Sequence, residues 1–295
     1  MTAPVEQNED RDQQPGLAST AGRPLPVWYS LLLAGVLVIA TGYGLLIAGA
    51  YPAPDGVRAT LPETLRGQDL VTLLAAVALV WGAVRARAGS LAGHIVWLAV
   101  TLYVAYTYLM YVVAPYNDVL LAYIAAIGLA TYGLINRLVR LDADAVGAAF
   151  AEVPRRGVAW FLLVMGALFA TLWLVDILSA WPGGVPDSLF VYDIPSIVHV
   201  LDLAIVLPLL ILTGVLLLRG HPVAPVLAAI VLVKTLTLGL ALLSMNAFVA
   251  ASTGSLDPAE PVLWAVVVAV TLAWLILGAR RMHPVQGPWL RPGVW

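Results

Sequence analysis

The sequence predicts an all-α fold: a polytopic bundle of eight transmembrane helices, built as two parallel four-helix repeats. Three observations lead there. Hydrophobic residues make up 61% of the chain and charged residues 11%, whereas soluble domains carry about 25% charged residues. Eight apolar runs each approach the roughly 20 residues a helix needs to cross a bilayer. Arginine, finally, is concentrated in every second connecting segment.

Residues 1–25 are polar and rich in Pro and Gln, too poor in apolar surface to fold, and are expected to form a disordered tail. A tail of this kind also argues against a cleaved signal peptide, in which an apolar run follows a short basic start. The first half, 26–138, holds spans at about 26–50, 69–86, 91–113 and 118–138. A linker, 139–156, precedes the second half, 157–279, with spans at about 157–180, 195–218, 222–248 and 260–279. Residues 280–295 form the last tail.

The connections support these limits. AYPAPDG, AWPGG and ASTGSLDPAEP carry the Pro, Gly and Asp that stop helices. Thr60-Leu-Pro-Glu63 has the spacing of a capping box and predicts a short interfacial helix ahead of the second span. Asp193-Ile-Pro195 is expected to cap the sixth. VRLDADAVGAAFAEVPRRG predicts a surface helix ended by Pro154, and the terminal RRMHPVQGPWLRPGVW suits a membrane surface.

Arginine placement predicts orientation, because basic residues gather in cytoplasmic loops. With both termini cytoplasmic in the cell membrane, twelve arginines fall inside and only Arg58 and Arg66 outside. One span more or fewer would scramble that alternation.

A repeat is visible at an offset of 130 residues. AGVLVIATGYGLLIAGAYP (34–52) and VMGALFATLWLVDILSAWP (164–182) share Ala-Thr, an aromatic two residues on (Tyr43, Trp173), and a closing Ala-aromatic-Pro. At an offset of 133, Asp69 of the second span aligns with Asp202 of the sixth. With four spans per half, the repeat is parallel, about an axis along the membrane normal. Leu46 then corresponds to Asp176 and Thr101 to Lys234, so the second half carries the added charges.

Lys234 is the only lysine in 295 residues, and it interrupts an apolar run. At about 1.5 Å per residue it lies roughly 16 Å deep, near the midplane. Charged side chains there are costly, face the bundle interior and find partners. The candidate ligand- or proton-binding residues are Lys234, Asp202, His199, Asp176, Asp69 and Tyr103, with His94 at the start of the third span. The three acids are expected in the outer third, with Asp202 or Asp176 as partner of the lysine. Thr101, Tyr103, Tyr106, Thr107, Ser244 and Asn246 are expected around the same cavity. His199 and Asp202, three apart, share a helix face.

Plainer readings stand beside these. Tyr108, Tyr111 and Tyr116 fit an aromatic belt at the outer interface. Asp69 fits a helix cap, His199–Asp202 a structural hydrogen bond, and Lys234 an interhelical salt bridge.

The absence of cysteine excludes disulfides and thiolate chemistry. A net charge of −2 gives no reason to expect nucleic acid, and no HExxH, GxSxG or phosphate-binding glycine loop is present. No cofactor and no metal is expected. The expected partners are the lipid bilayer and a small molecule or ion. The leading expectation is a small-solute, ion or proton-coupled carrier, or a sensor, with an outward-facing polar site. The alternatives are an intramembrane enzyme using His199 and Asp202, and a non-catalytic scaffold.

Overall fold

A computed structural model describes residues 26–52, 60–190, 196–283, 285 and 289–291. The N-terminal tail, Arg58 and the Asp193-Ile-Pro195 cap lie outside the described residues. The fold is an all-α bundle, and eight of its helical segments are long and apolar enough to cross a membrane. In chain order the helices are α1 (Val27–Leu46), α2 (Leu61–Arg87), α3 (Leu91–Tyr111), α4 (Leu120–Leu138), the short α5 (Ala143–Ala149), and α6 (Arg155–Ser179). They are followed by α7 (Asp187–Phe190), α8 (Ser196–Leu201), α9 (Leu207–Leu218), α10 (Ala224–Thr253) and α11 (Ala259–Arg281). The pair α8 and α9 makes one span, Ser196–Leu218, interrupted by a π-helical turn at Asp202–Val206.

That turn has a local cause. Pro208, in the first turn of α9, has no N–H for the carbonyl four residues back, and its ring crowds that carbonyl. Widening the preceding turn relieves the conflict, and the Leu207 N–H bonds to the Asp202 carbonyl five residues back.

Burial separates core helices from lipid-facing ones. Of the apolar stretch of α3, 78% is buried, against 11% for α11, so α3 is central and α11 peripheral. Helices α1 to α4 pack in sequence, and α4 returns to α1. In the second half α6 packs on α9 and α10 on α11. Phe169 stacks on Trp264 at 5.2 Å between ring centroids, bringing α6 to α11. Helix α10 joins the halves, because it lies along α2 and α3 and adds apolar residues to both buried clusters. Its contact with α9 is much lighter than that of α2 with α3.

Three local expectations change. Thr60-Leu-Pro-Glu63 does not form a capping box: the Thr60 side chain makes no cap bond, and Glu63 pairs instead with Arg66 at 2.9 Å. The interfacial helix and the second span are one helix of 27 residues, since Pro62 is tolerated in a first turn and the polar Gln68 and Asp69 find partners inside the bundle. Secondly, Tyr108 and Tyr111 are buried, and only Tyr116 is exposed as a belt residue would be. Thirdly, the C-terminal segment does not simply lie on a surface: Trp289 and Leu290 are buried. Trp289 packs on the His94 ring at 4.7 Å, and Leu290 forms a β-bridge with Leu141.

The linker helix forms, but it ends at Ala149 and not at Pro154, which instead precedes α6, and it is no plain surface helix, since Val146, Gly147 and Ala149 are buried. Asp142 caps α5 by accepting the Ala145 N–H at 3.1 Å, a bond that holds its carboxyl below the usual carboxylate range.

Candidate functional site

Lys234 lies on α10, about 15 Å from the start of that helix along its axis. It is 3% exposed, and its ammonium has no hydrogen-bond acceptor among the described residues. Nζ sits 4.0 Å above the centroid of the Tyr106 ring, a cation–π contact from α3. The hydroxyl of that tyrosine donates to Asp202 at 2.8 Å. The other Asp202 oxygen accepts the Trp173 indole N–H at 3.0 Å. The expected pairing of Lys234 with a carboxylate is thus indirect. Tyr106 stands between the charges, its face toward the cation and its hydroxyl toward the anion. The lean of helical side chains toward the helix N-terminus opposes a direct reach.

Beside the stem of Lys234 is a cavity of about 150 Å³, with Nζ itself covered. Its wall is formed by α3, α8, the π-helical turn, α9 and α10. Except for Lys234 and Tyr106, the lining is Leu, Ala, Ile and Val. Of the polar residues expected around the lysine, only Tyr106 reaches this space. Thr101 bonds the Trp97 carbonyl of its own helix at 2.6 Å, and Asn246 bonds the Leu242 carbonyl at 2.9 Å. Water is poorly held by such walls, so an ammonium there attracts an anion far more strongly than it would in bulk solvent.

His199 and Asp202 do not bond to each other, although they are three residues apart. His199 Nε2 meets Asp176 at 3.4 Å and the Ser188 hydroxyl at 2.9 Å. The Ser188 hydroxyl also bonds Asp176, which accepts the Ser188 backbone N–H at 3.3 Å as well. Asp176 and Ser188 meet the same histidine nitrogen, Nε2, and among the described residues no carboxylate bonds the other ring nitrogen as a nucleophilic triad requires. The cluster instead clamps α6, α7 and α8 together. Ser188→Ala is expected to lower stability by about 1–2 kcal/mol, because it removes the hydroxyl that bonds both Asp176 and the buried His199. Thermal unfolding of the purified variant measures this, and an unchanged midpoint would remove the clamp reading.

Trp173 connects the two groups. Its ring meets His199 edge-on at 4.7 Å, while its N–H holds Asp202. Lys234, Asp202, His199 and Asp176 therefore belong to one run of contacts. Asp69 and Tyr103 belong to another, between α1, α2 and α3. Asp69 is 1% exposed and accepts from the hydroxyls of Tyr51 and Tyr111. It lies well inside α2, so it is no helix cap. Gly44 makes the room: a Cβ there would fall 1.9 Å from Asp69 Oδ2 and 2.3 Å from the Tyr51 hydroxyl. Tyr103, also buried, accepts from the Gln68 amide and meets Thr72 at 3.0 Å.

Ser188 escapes the sequence reading, since it lies outside any span and carries no pattern, and Tyr51 figures there only as the aromatic of the closing Ala-aromatic-Pro. Trp173 had one signal, its alignment with Tyr43 in the expected repeat. No family model, curated protein or solved structure matches this chain, so its chemistry is read from its own side chains.

Proposed function

We propose that this multi-pass membrane protein is a carrier for a small anionic solute, with Lys234 as the group that holds the anion. Both termini would lie on the cytoplasmic side of the cell membrane, the orientation that the arginine distribution favours. The carrying observation is Lys234, buried at mid-depth: its stem lines an apolar cavity, and its ammonium, covered by the Tyr106 ring, has no acceptor among the described residues. Asp202 balances its charge through Tyr106 without occupying its hydrogen-bonding positions. Carrier sites commonly lie near the midplane between helical repeats, beside interrupted helices. The two halves, 26–138 and 157–279, and the π-helical turn beside the cavity fit that pattern. Asp176 and His199 would secure the outer end of the sixth span, and Asp69 and Tyr103 would hold the first half rigid against it.

The test uses detergent-purified protein and a panel of chloride, acetate, benzoate and phosphate. At least one anion is expected to raise the unfolding temperature of the wild type but not of Lys234→Met. Flux of that anion into proteoliposomes is expected to fall about 100-fold in the variant, roughly 2.7 kcal/mol. Binding without flux would make the protein a sensor. If no anion responds, and Lys234→Met merely loses stability that Asp202→Asn restores, the lysine is a structural charge and the proposal fails.

A further inference from the structure

The cavity beside the Lys234 stem has an entirely apolar lining surface. Its rim runs along one stripe of α3, Leu102, Ala105 and Leu109, and faces Ile205 and Leu209 of the sixth span. Ile205 is 53% exposed, and the three α3 residues and Leu209 include no polar side chain. Helix α3 meets the sixth span chiefly at α8, so below that contact the two helices part and leave a groove on the side of the bundle. At this depth the side of the bundle faces hydrocarbon, not water.

Size narrows the occupant further. About 150 Å³ is close to the volume that takes up benzene in an engineered protein cavity, and well below the roughly 300–1,000 Å³ of pockets that enclose a drug-sized ligand. Such a space holds a small head group and the first few carbons attached to it. Whatever follows must leave through the groove, whose walls match an alkyl chain. The head must suit an ammonium that has no acceptor among the described residues and that turns from the Tyr106 face to meet it, so it is an anion with compact oxygen acceptors. A phospholipid phosphate fails on two counts: it carries a glycerol and two chains, and it would have to leave the hydrated interface for the midplane. A carboxylic acid can make that descent as the neutral acid, at far lower cost than a permanent charge, and pass its proton to a Lys234 amine, leaving the carboxylate paired with the ammonium so formed.

We infer that the ligand of the Lys234 site is a single-chain lipid carboxylate that enters sideways from the bilayer, its head on Lys234 and its chain between α3 and the sixth span. This rests on the reading of Lys234 as an anion site and names its substrate class.

The experiment uses the full chain in phosphatidylcholine nanodiscs, with radiolabelled oleate as probe. Oleate is expected to bind saturably, and Lys234→Met to weaken it at least about tenfold. Ile205→Trp, which narrows the groove and leaves the lysine in place, is expected to block oleate but leave acetate binding intact. Oleyl alcohol and phosphatidylglycerol are expected to compete poorly. Equal competition by oleyl alcohol would remove the role of charge, and equal competition by phosphatidylglycerol would make the ligand a phospholipid. Either result overturns the inference. Lys234-dependent binding of acetate or benzoate with no binding of oleate also overturns it, yet leaves the carrier proposal standing. Absence of any Lys234-dependent anion binding overturns both.

Discussion

Gly67→Ala is expected to lower stability by about 3 kcal/mol, the upper end of the usual cost of overpacking. A Cβ at this position would lie 2.6 Å from Met245 Cα, 2.7 Å from Met245 N and 2.9 Å from the Ser244 carbonyl carbon. All three atoms are backbone, so no side-chain rotation relieves the clash. The helices themselves must separate, and these are α2 and α10, the contact that joins the two halves of the bundle. Gly35→Ala is the control: nothing lies within 4 Å of its would-be Cβ, and it is expected to be neutral. Unfolding midpoints of the two variants in one detergent check the contrast. Equal midpoints would mean that α10 does not press on α2 as described.

The second large effect is expected at Asp69. Tyr51→Phe with Tyr111→Phe removes both hydroxyls that donate to this carboxyl and leaves it buried without a donor. The expected loss is about 1–3 kcal/mol for each hydroxyl removed, because a buried acceptor that loses its partner keeps its desolvation cost. Adding Asp69→Leu should recover much of the loss, since an apolar group asks for no donor. A double variant as stable as the wild type would show that the tyrosines only pack. A triple variant no more stable than the double would show that the damage lies in the aromatic cluster, where Tyr108, Tyr111 and Tyr123 pack ring to ring.

Misreading Tyr108 and Tyr111 as belt residues follows from what a sequence can express. Tyrosine near the end of an apolar run has the same pattern whether its hydroxyl meets lipid head groups or a buried carboxylate. The deciding fact is the position of Asp69, 42 residues from Tyr111 in the chain. His199 shows the same difficulty. Spacing along one helix brings it to the face of Asp202, but Ser188 on α7 and Asp176 on α6 take its nitrogen. Sequence spacing describes which groups can meet along a helix, whereas partners across helices depend on rotation of each helix about its own axis.

The eight spans, the all-α class and the singular position of Lys234 were legible in the chain alone. They follow from one-dimensional quantities: the length of an apolar run against the thickness of a bilayer, and the cost of a charge within it. Tertiary structure decided the rest. It inserted Tyr106 between Lys234 and Asp202, parted α3 from α9 to leave a groove, and gave Asp69 its own tyrosine cage. In apolar surroundings a polar group must take whichever donor or acceptor helix packing presents. Packing is fixed by steric fit at close contacts such as Gly67 against Met245, between residues far apart in the chain.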